Sequence, residues 1–162
     1  MKRRDKHNYY LDIAEEVSQR CTCHRRQYGA VIVKGDEIIA TGYVGAPRGR
    51  KNCTDMGRCI REQRKIAHGE RYELCRSVHA EANAIISAPR KDMMGGDMYL
   101  TGMEATTGAY IKGADACAMC KRLIINAGIA QVYIRDDKNN FRTIDVEDWV
   151  EDDDSLMDVM GH

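Results

Sequence analysis

The sequence predicts an α/β fold: a three-layer αβα sandwich around a mixed five-stranded sheet. Three observations lead there. Short apolar, β-branched runs alternate along the chain with segments of helical period, so a sheet must be covered on both faces. Two of the runs flank a tight turn and form a hairpin. No internal repeat or low-complexity tract divides the 162 residues, a length that suits one domain over residues 1–162 with a core of its own.

Taken in order, residues 5–19 carry Tyr9, Tyr10, Ile13, Ala14 and Val17 at helical spacing and form an amphipathic first helix. Residues 29–33 and 37–43 are strands joined by Lys34, Gly35 and Asp36. Residues 44–76 are rich in glycine, arginine and cysteine and lack a clear period. They are too long for a plain connection and are expected to be functional or ordered by metal. Residues 77–88 form a second helix, ended by Pro89. Residues 98–101 open a third strand, and Thr106, Thr107 and Gly108 make the turn of a small hairpin. The helical run 121–128 stops at Gly128, which suits a C-terminus and places Cys117 and Cys120 in the first turn of that helix. Residues 131–135 and 141–144 are the fourth and fifth strands. Trp149 sits on a C-terminal helix and packs it against the body.

Charge and cysteine usage narrow the function. Twenty-five basic and 25 acidic residues leave no net charge, which argues against a whole-domain grip on nucleic acid. The distribution is uneven: residues 48–76 hold nine Lys or Arg against four acids, whereas residues 145–162 hold eight acids and no Lys or Arg. That acidic tail is expected to be solvated, or to dock on a neighbouring basic loop in an assembly. Without a signal-like segment or a twenty-residue apolar run, the protein is expected to be cytoplasmic and free of membrane. In that compartment seven cysteines point to metal rather than disulfides. The nine methionines are expected to fill core and loops, and His7 and His162 to lie at the surface.

His79 and Glu81, followed by Cys117 and Cys120, carry the chemistry. A catalytic zinc takes three protein ligands and keeps its fourth position for water, whose pKa falls from about 15.7 to roughly 7. His79, Cys117 and Cys120 are the ligands. Glu81 is placed two residues from the first of them, near the metal without being needed by it, where a carboxylate can shuttle protons. The pattern matches that of zinc-dependent nucleobase deaminases, with Ala116 standing where the pattern has proline. A zinc protease would instead show two histidines one helical turn apart around a glutamate. At the first turn of a helix, unpaired N–H groups favour thiolates.

The chain resembles the deoxycytidylate deaminases of the cytidine deaminase superfamily. The resemblance rests on GAVIV at 29–33, ATGYVGAPRG at 40–49, HAEANAI at 79–85 and CAMCKRLIINAGI at 117–129, and spans about residues 23–135. It implies zinc held by His79, Cys117 and Cys120, Glu81 as proton shuttle, and hydrolysis of dCMP to dUMP and ammonia. Asn83 and Arg90 match family positions beside and at the end of the catalytic helix. Val44 stands where the family has an asparagine that helps hold the sugar, and valine offers no hydrogen bond. Relatives are often hexameric and regulated by deoxynucleoside triphosphates, so an oligomer and such an effector are implied as well.

Some members carry a second, structural zinc, and Cys23 and Cys53 fall where the resemblance places ligands. A closed site needs four, and the preferred set is Cys23, Cys53 and Cys75 with either Cys59 or His68. The alternative is a group of unconnected buried thiols. For the substrate phosphate, Arg48, Arg50, Lys51 and Arg90 are candidates, with Arg48 favoured by its loop; otherwise each is a solvated surface charge. Two rivals stay open: a deaminase of another cytosine or adenine compound, including a tRNA base, and a non-catalytic zinc module that binds a partner. Intact Glu81 speaks against the latter.

Overall fold

The computed structural model describes residues 1–153. Helix α1, Lys6–Ser18, begins at Asp5, whose carboxylate accepts the Asn8 N–H at 3.0 Å. Strands β1, Arg26–Lys34, and β2, Glu37–Tyr43, form the expected hairpin, β1 starting three residues early. The long connection that follows contains two single-turn helices, α2 (Cys53–Met56) and α3 (Ile60–Gln63), and a 3₁₀ turn at Tyr72–Leu74. Then come α4 (Ala80–Ile86), α5 (Arg90–Met93), β3 (Asp97–Glu104), α6 (Ala118–Ala127), β4 (Gln131–Arg135), β5 (Phe141–Asp145) and α7 (Val146–Glu151).

The five strands lie in the order β2-β1-β3-β4-β5, with β3 and β4 parallel and every other pair antiparallel. The sheet is mixed and five-stranded, as the sequence predicts. Alternation along the strands divides the core. Val31, Val33, Tyr99 and Tyr133 face α1 through Tyr10, Leu11 and Ala14. Ala30, Ile32, Met98, Leu100, Val132 and Ile134 face the other way, onto Ala80 and Ala84 of α4 and Cys120, Ile124 and Ala127 of α6. Each fully buried aliphatic side chain contributes about 1.5–3 kcal/mol. Trp149 packs α7 on this second face, as expected.

Two glycines allow the helices to approach. A Cβ at Gly29 would lie 2.1 Å from the Ala14 carbonyl oxygen, on the α1 side. A Cβ at Gly42 would lie 2.3 Å from both the Ala80 carbonyl oxygen and the Ala84 nitrogen, on the α4 side. The sheet therefore touches the backbone of both helices.

Several local expectations are corrected. Residues 77 and 78 are not helical: Val78 and Gly45 exchange backbone hydrogen bonds at 2.7 and 3.1 Å, which takes Val78 out of the helical ladder. Pro89 does not only end a helix, because it caps α5. His7 is half-buried rather than free at the surface, stacking on Tyr133 at 4.1 Å between centroids with its Nδ1 3.0 Å from the Tyr99 hydroxyl. The acidic tail is described only to residue 153, so its solvation or docking, like His162, lies outside the described residues.

Candidate active site

His79 and Cys117 occupy equivalent places at the N-caps of α4 and α6, both with extended backbone. Cys117 thus lies just before the first turn expected for it, with Cys120 one turn on; the Cys117 carbonyl accepts the Lys121 N–H at 2.9 Å. The two helix starts bring the His79 Nδ1 to 3.4 Å from the Cys117 sulfur and 3.5 Å from that of Cys120. Zinc–sulfur and zinc–nitrogen bonds of about 2.3 and 2.0–2.1 Å at a tetrahedral angle separate N from S by about 3.6 Å. The three residues already stand at ligation distance, and the donor set, one imidazole and two thiolates, suits zinc. Their ligand atoms lie within 4.8 Å of one another, and among the described residues they are the one group that meets this condition.

The three ligand residues and Glu81 are electrostatically linked. A hydrogen bond from Cys120, and then one from His79, outweigh burial and hold the Cys117 thiol down at about 4. Cys120 is pushed well up, first by sharing its proton with Cys117 and then by burial. Burial disfavours the charged His79, but the thiolate of Cys117 prevails and raises it to about 10. Glu81, 3 % exposed, is raised above the ordinary carboxylate range chiefly by burial. A carboxyl so placed readily holds a proton and passes it on.

These residues open on a cavity of about 420 Å³, inside the 300–1,000 Å³ range of small-molecule sites. Its lining includes Val44, Tyr28 and Ile111 as apolar walls and Arg25, Arg26, Arg61 and Lys112 as cations. Arg25 is paired with Glu62 at 2.9 Å and Arg26 with Glu104 at 3.9 Å. The segment between β3 and α6 supplies one wall. It turns at Gly108, as expected, with the single bridge Met103–Tyr110, and is anchored where the Tyr110 hydroxyl donates to Glu15 of α1 at 2.9 Å.

The other candidates fall as follows. Arg48 is exposed and is not among the lining residues. Arg90 is committed elsewhere: its Nε donates to the Asn126 carbonyl at 2.6 Å, tying α5 to the end of α6. Asn83 donates to the Tyr43 carbonyl at 2.8 Å and holds the chain beside Val44 rather than lining the cavity. The residues proposed for a second zinc are not gathered as the first three are. Cys23, Cys59, Cys75 and His68 line the cavity, and Cys53 is buried with its sulfur 4.0 Å from the Ser77 hydroxyl, its thiol pushed up by burial and further by the neighbouring Cys23, Cys75 and Cys59. The 3₁₀ turn leads Cys75 towards His79, which helps lower its thiol against the opposing effect of burial. All seven cysteines are unpaired. Sequence reasoning missed Arg25, Arg26, Arg61, Tyr72 and Lys112. Only the first two carried a signal, as adjacent charges leading into an apolar strand.

Residues 4–135 match the model of the cytidine and deoxycytidylate deaminase zinc-binding region. The deoxycytidylate deaminase of Mycobacterium phage D29 is 35 % identical over 136 residues, covering 82 % of this chain and 95 % of that protein. The deoxycytidylate deaminase of Schizosaccharomyces pombe is 38 % identical over 84 residues; these are 52 % of this chain but 26 % of the yeast protein. Among solved structures, the apo dCMP deaminase of cyanophage S-TIM5 superposes with a TM-score of 0.56 at 25 % identity, covering 83 % of this chain and 85 % of that one.

Proposed function

The chain belongs to the cytidine and deoxycytidylate deaminase family, and we propose that it hydrolyses deoxycytidylate to deoxyuridylate and ammonia. One observation carries this reading: His79, Cys117 and Cys120 stand at zinc-ligation distance at the foot of a nucleotide-sized cavity, with the buried Glu81 beside them. Zinc held there supplies the activation of water near neutral pH. Glu81 moves the protons. It takes one from water as the oxygen adds to C4 and delivers it to the ring nitrogen; it then takes the second from the new C4 hydroxyl and gives it to the 4-amino group, so that the C–N bond breaks and ammonia leaves. Water's oxygen ends on the ring as the carbonyl, and the carboxyl returns to its starting state. Burial of Glu81 shields its carboxyl from bulk solvent during both transfers.

The lining supports a nucleotide. Arg25, Arg26 and Lys112 offer cations to a 5′-phosphate, with the exposed Arg48 as a further candidate outside the lining. Val44, buried in the wall, gives the sugar no hydrogen-bonding side chain, so discrimination between deoxyribose and ribose is expected to be weak. His79, Cys117 and Cys120 would hold one zinc; Cys23, Cys53 and Cys75 with Cys59 or His68 would hold a second, a reading supported by the influence of Cys23, Cys75 and Cys59 on the Cys53 thiol. Unpaired thiols suit a reducing, cytoplasmic setting. No described helix is long and apolar enough to cross a membrane. Exposed Ile86, Met119 and Leu123 on α4 and α6 support self-assembly, whereas a deoxynucleoside triphosphate effector rests on family likeness alone.

Zinc-loaded protein incubated with dCMP, CMP, deoxycytidine and adenine nucleotides, with ammonia measured, tests the reading. Turnover of dCMP far above that of deoxycytidine is expected, since losing a charge-assisted hydrogen bond costs roughly 1.5–3 kcal/mol. Equal rates on nucleoside and nucleotide, or activity confined to a base within RNA, would overturn the dCMP assignment.

A further inference from the structure

The cavity lining holds an unusual group. Arg61 is 5 % exposed, yet no carboxylate pairs with it among the described residues. Its fork instead spans two backbone carbonyls, Nη1 donating to Arg71 and Nη2 to Ala67, each at 2.9 Å. These bonds close a loop whose backbone enters the left-handed region at two non-glycine residues, Lys65 and Arg71. Such positions cost of order 1–3 kcal/mol each and persist only where the surroundings hold them. The guanidinium also lies over the Tyr72 ring, 4.6 Å from its centroid. Tyr72 in turn meets His79 at 4.9 Å between centroids, with the ring planes at 83°.

A histidine that ligates metal needs its ring orientation fixed by what surrounds it, and removing such support typically costs 10–100-fold in metal affinity. His79 is an N-cap residue, so its own helix restrains the backbone but not the imidazole. We propose that Arg61 and Tyr72 form a positioning bracket for His79: the arginine fork fixes the 60–72 loop, the loop presents the Tyr72 ring, and the ring sets the imidazole that faces Cys117 and Cys120. Neither residue touches the reacting atoms. Arginine is required because only a planar fork reaches both carbonyls while stacking on a ring; lysine keeps the charge and loses the geometry. Tyr72 acts through its ring, not its hydroxyl. The inference rests on zinc being the metal of the His79 site.

The test is the rate at which zinc-loaded protein releases metal to a chromogenic chelator, read beside the ligand-field spectrum of the cobalt-substituted protein. Tyr72→Leu and Arg61→Lys should release zinc about 10–100-fold faster and shift the cobalt bands. Tyr72→Phe should match the parent in both. Glu62→Gln, which breaks the Arg25 pair on the same short helix without touching Tyr72, should match it too. Melting curves in saturating zinc show which variants fold, and if Tyr72→Leu does not, Arg61→Lys against Tyr72→Phe decides. Parent-like release from the folded Leu and Lys variants, or equal acceleration by Glu62→Gln, would overturn the bracket. A parent protein that binds no zinc would instead sink the zinc reading beneath it.

Discussion

The two faces of the sheet are built from different materials. On the α1 face, large rings and ions dominate: His7, Tyr10, Tyr99, Tyr133 and Phe141 pack together, and the fully buried Arg135 donates to Asp12 at 2.8 Å and Glu15 at 2.6 Å. On the α4–α6 face the core is aliphatic, and alanines such as Ala80, Ala84, Ala116 and Ala127 are the small side chains that let two helix starts converge on one point. The difference separates two tasks. One face makes the sheet a fixed platform; the other brings His79, Glu81, Cys117 and Cys120 together at the helix starts. They meet at Glu15, which accepts from both Arg135 and the Tyr110 hydroxyl of the cavity wall.

The separation predicts that chemistry and stability can be damaged independently. The largest effect is expected at Glu81. Glu81→Gln should retain zinc and melt like the parent, yet lose about 10²-fold or more in turnover, since an amide cannot carry the proton. Near-parental turnover of the zinc-loaded variant would remove Glu81 from the mechanism.

The matched glycines sharpen the contrast. Gly29→Ala and Gly42→Ala each force a methyl group against helix backbone, so each should cost on the order of 1–3 kcal/mol in denaturant unfolding. Only Gly42→Ala should also depress kcat, because it displaces α4 and with it His79 and Glu81. Equal activity losses from the two would show that the faces are coupled and not separate.

The smallest effect is a pH dependence confined to the α1 face. Burial pushes the Asp12 carboxyl up, but hydrogen bonds from Arg4 and Arg135 outweigh it and hold the group well below the usual carboxylate range. A depressed carboxyl contributes stability above its unfolded pKa, about 3.9, which is lost as pH falls from there towards the folded value. The melting temperature of the parent should therefore fall more steeply below about pH 4 than that of Asp12→Asn. Parallel curves would deny Asp12 this role.

Much of the α4–α6 face was legible because its information is local. Ligand spacing, a shuttle two residues from a ligand and a glycine at a helix end need no knowledge of distant contacts, so the metal trio and Glu81 emerge from the sequence, as does the mixed five-stranded sheet. The α1 face was legible as elements but not as chemistry. Arg135, last residue of a short strand, carries no sign in the sequence of its place, and only the fold shows it buried between Asp12 and Glu15. Arg61 was harder still: its partners are two main-chain carbonyls, which carry no residue identity and leave no pattern. Asn83 and Arg90 illustrate the converse, since side chains that look like substrate ligands are committed to backbone carbonyls.

The tether at Tyr110 has a consequence for how this cavity could change over evolutionary time or under directed selection. Between Tyr110, tied to α1, and Cys117, fixed at the start of α6, the wall is pinned at both ends. Its exposed residues Lys112 and Gly113 lie between the anchors, whereas Asp115 belongs to the second of them, accepting the Ala116 N–H at 2.8 Å and pairing with Lys121 of α6 at 3.3 Å. A stretch so framed can be exchanged or lengthened to admit a different substrate while the metal ligands keep their places, so new specificity need not begin with a broken catalyst.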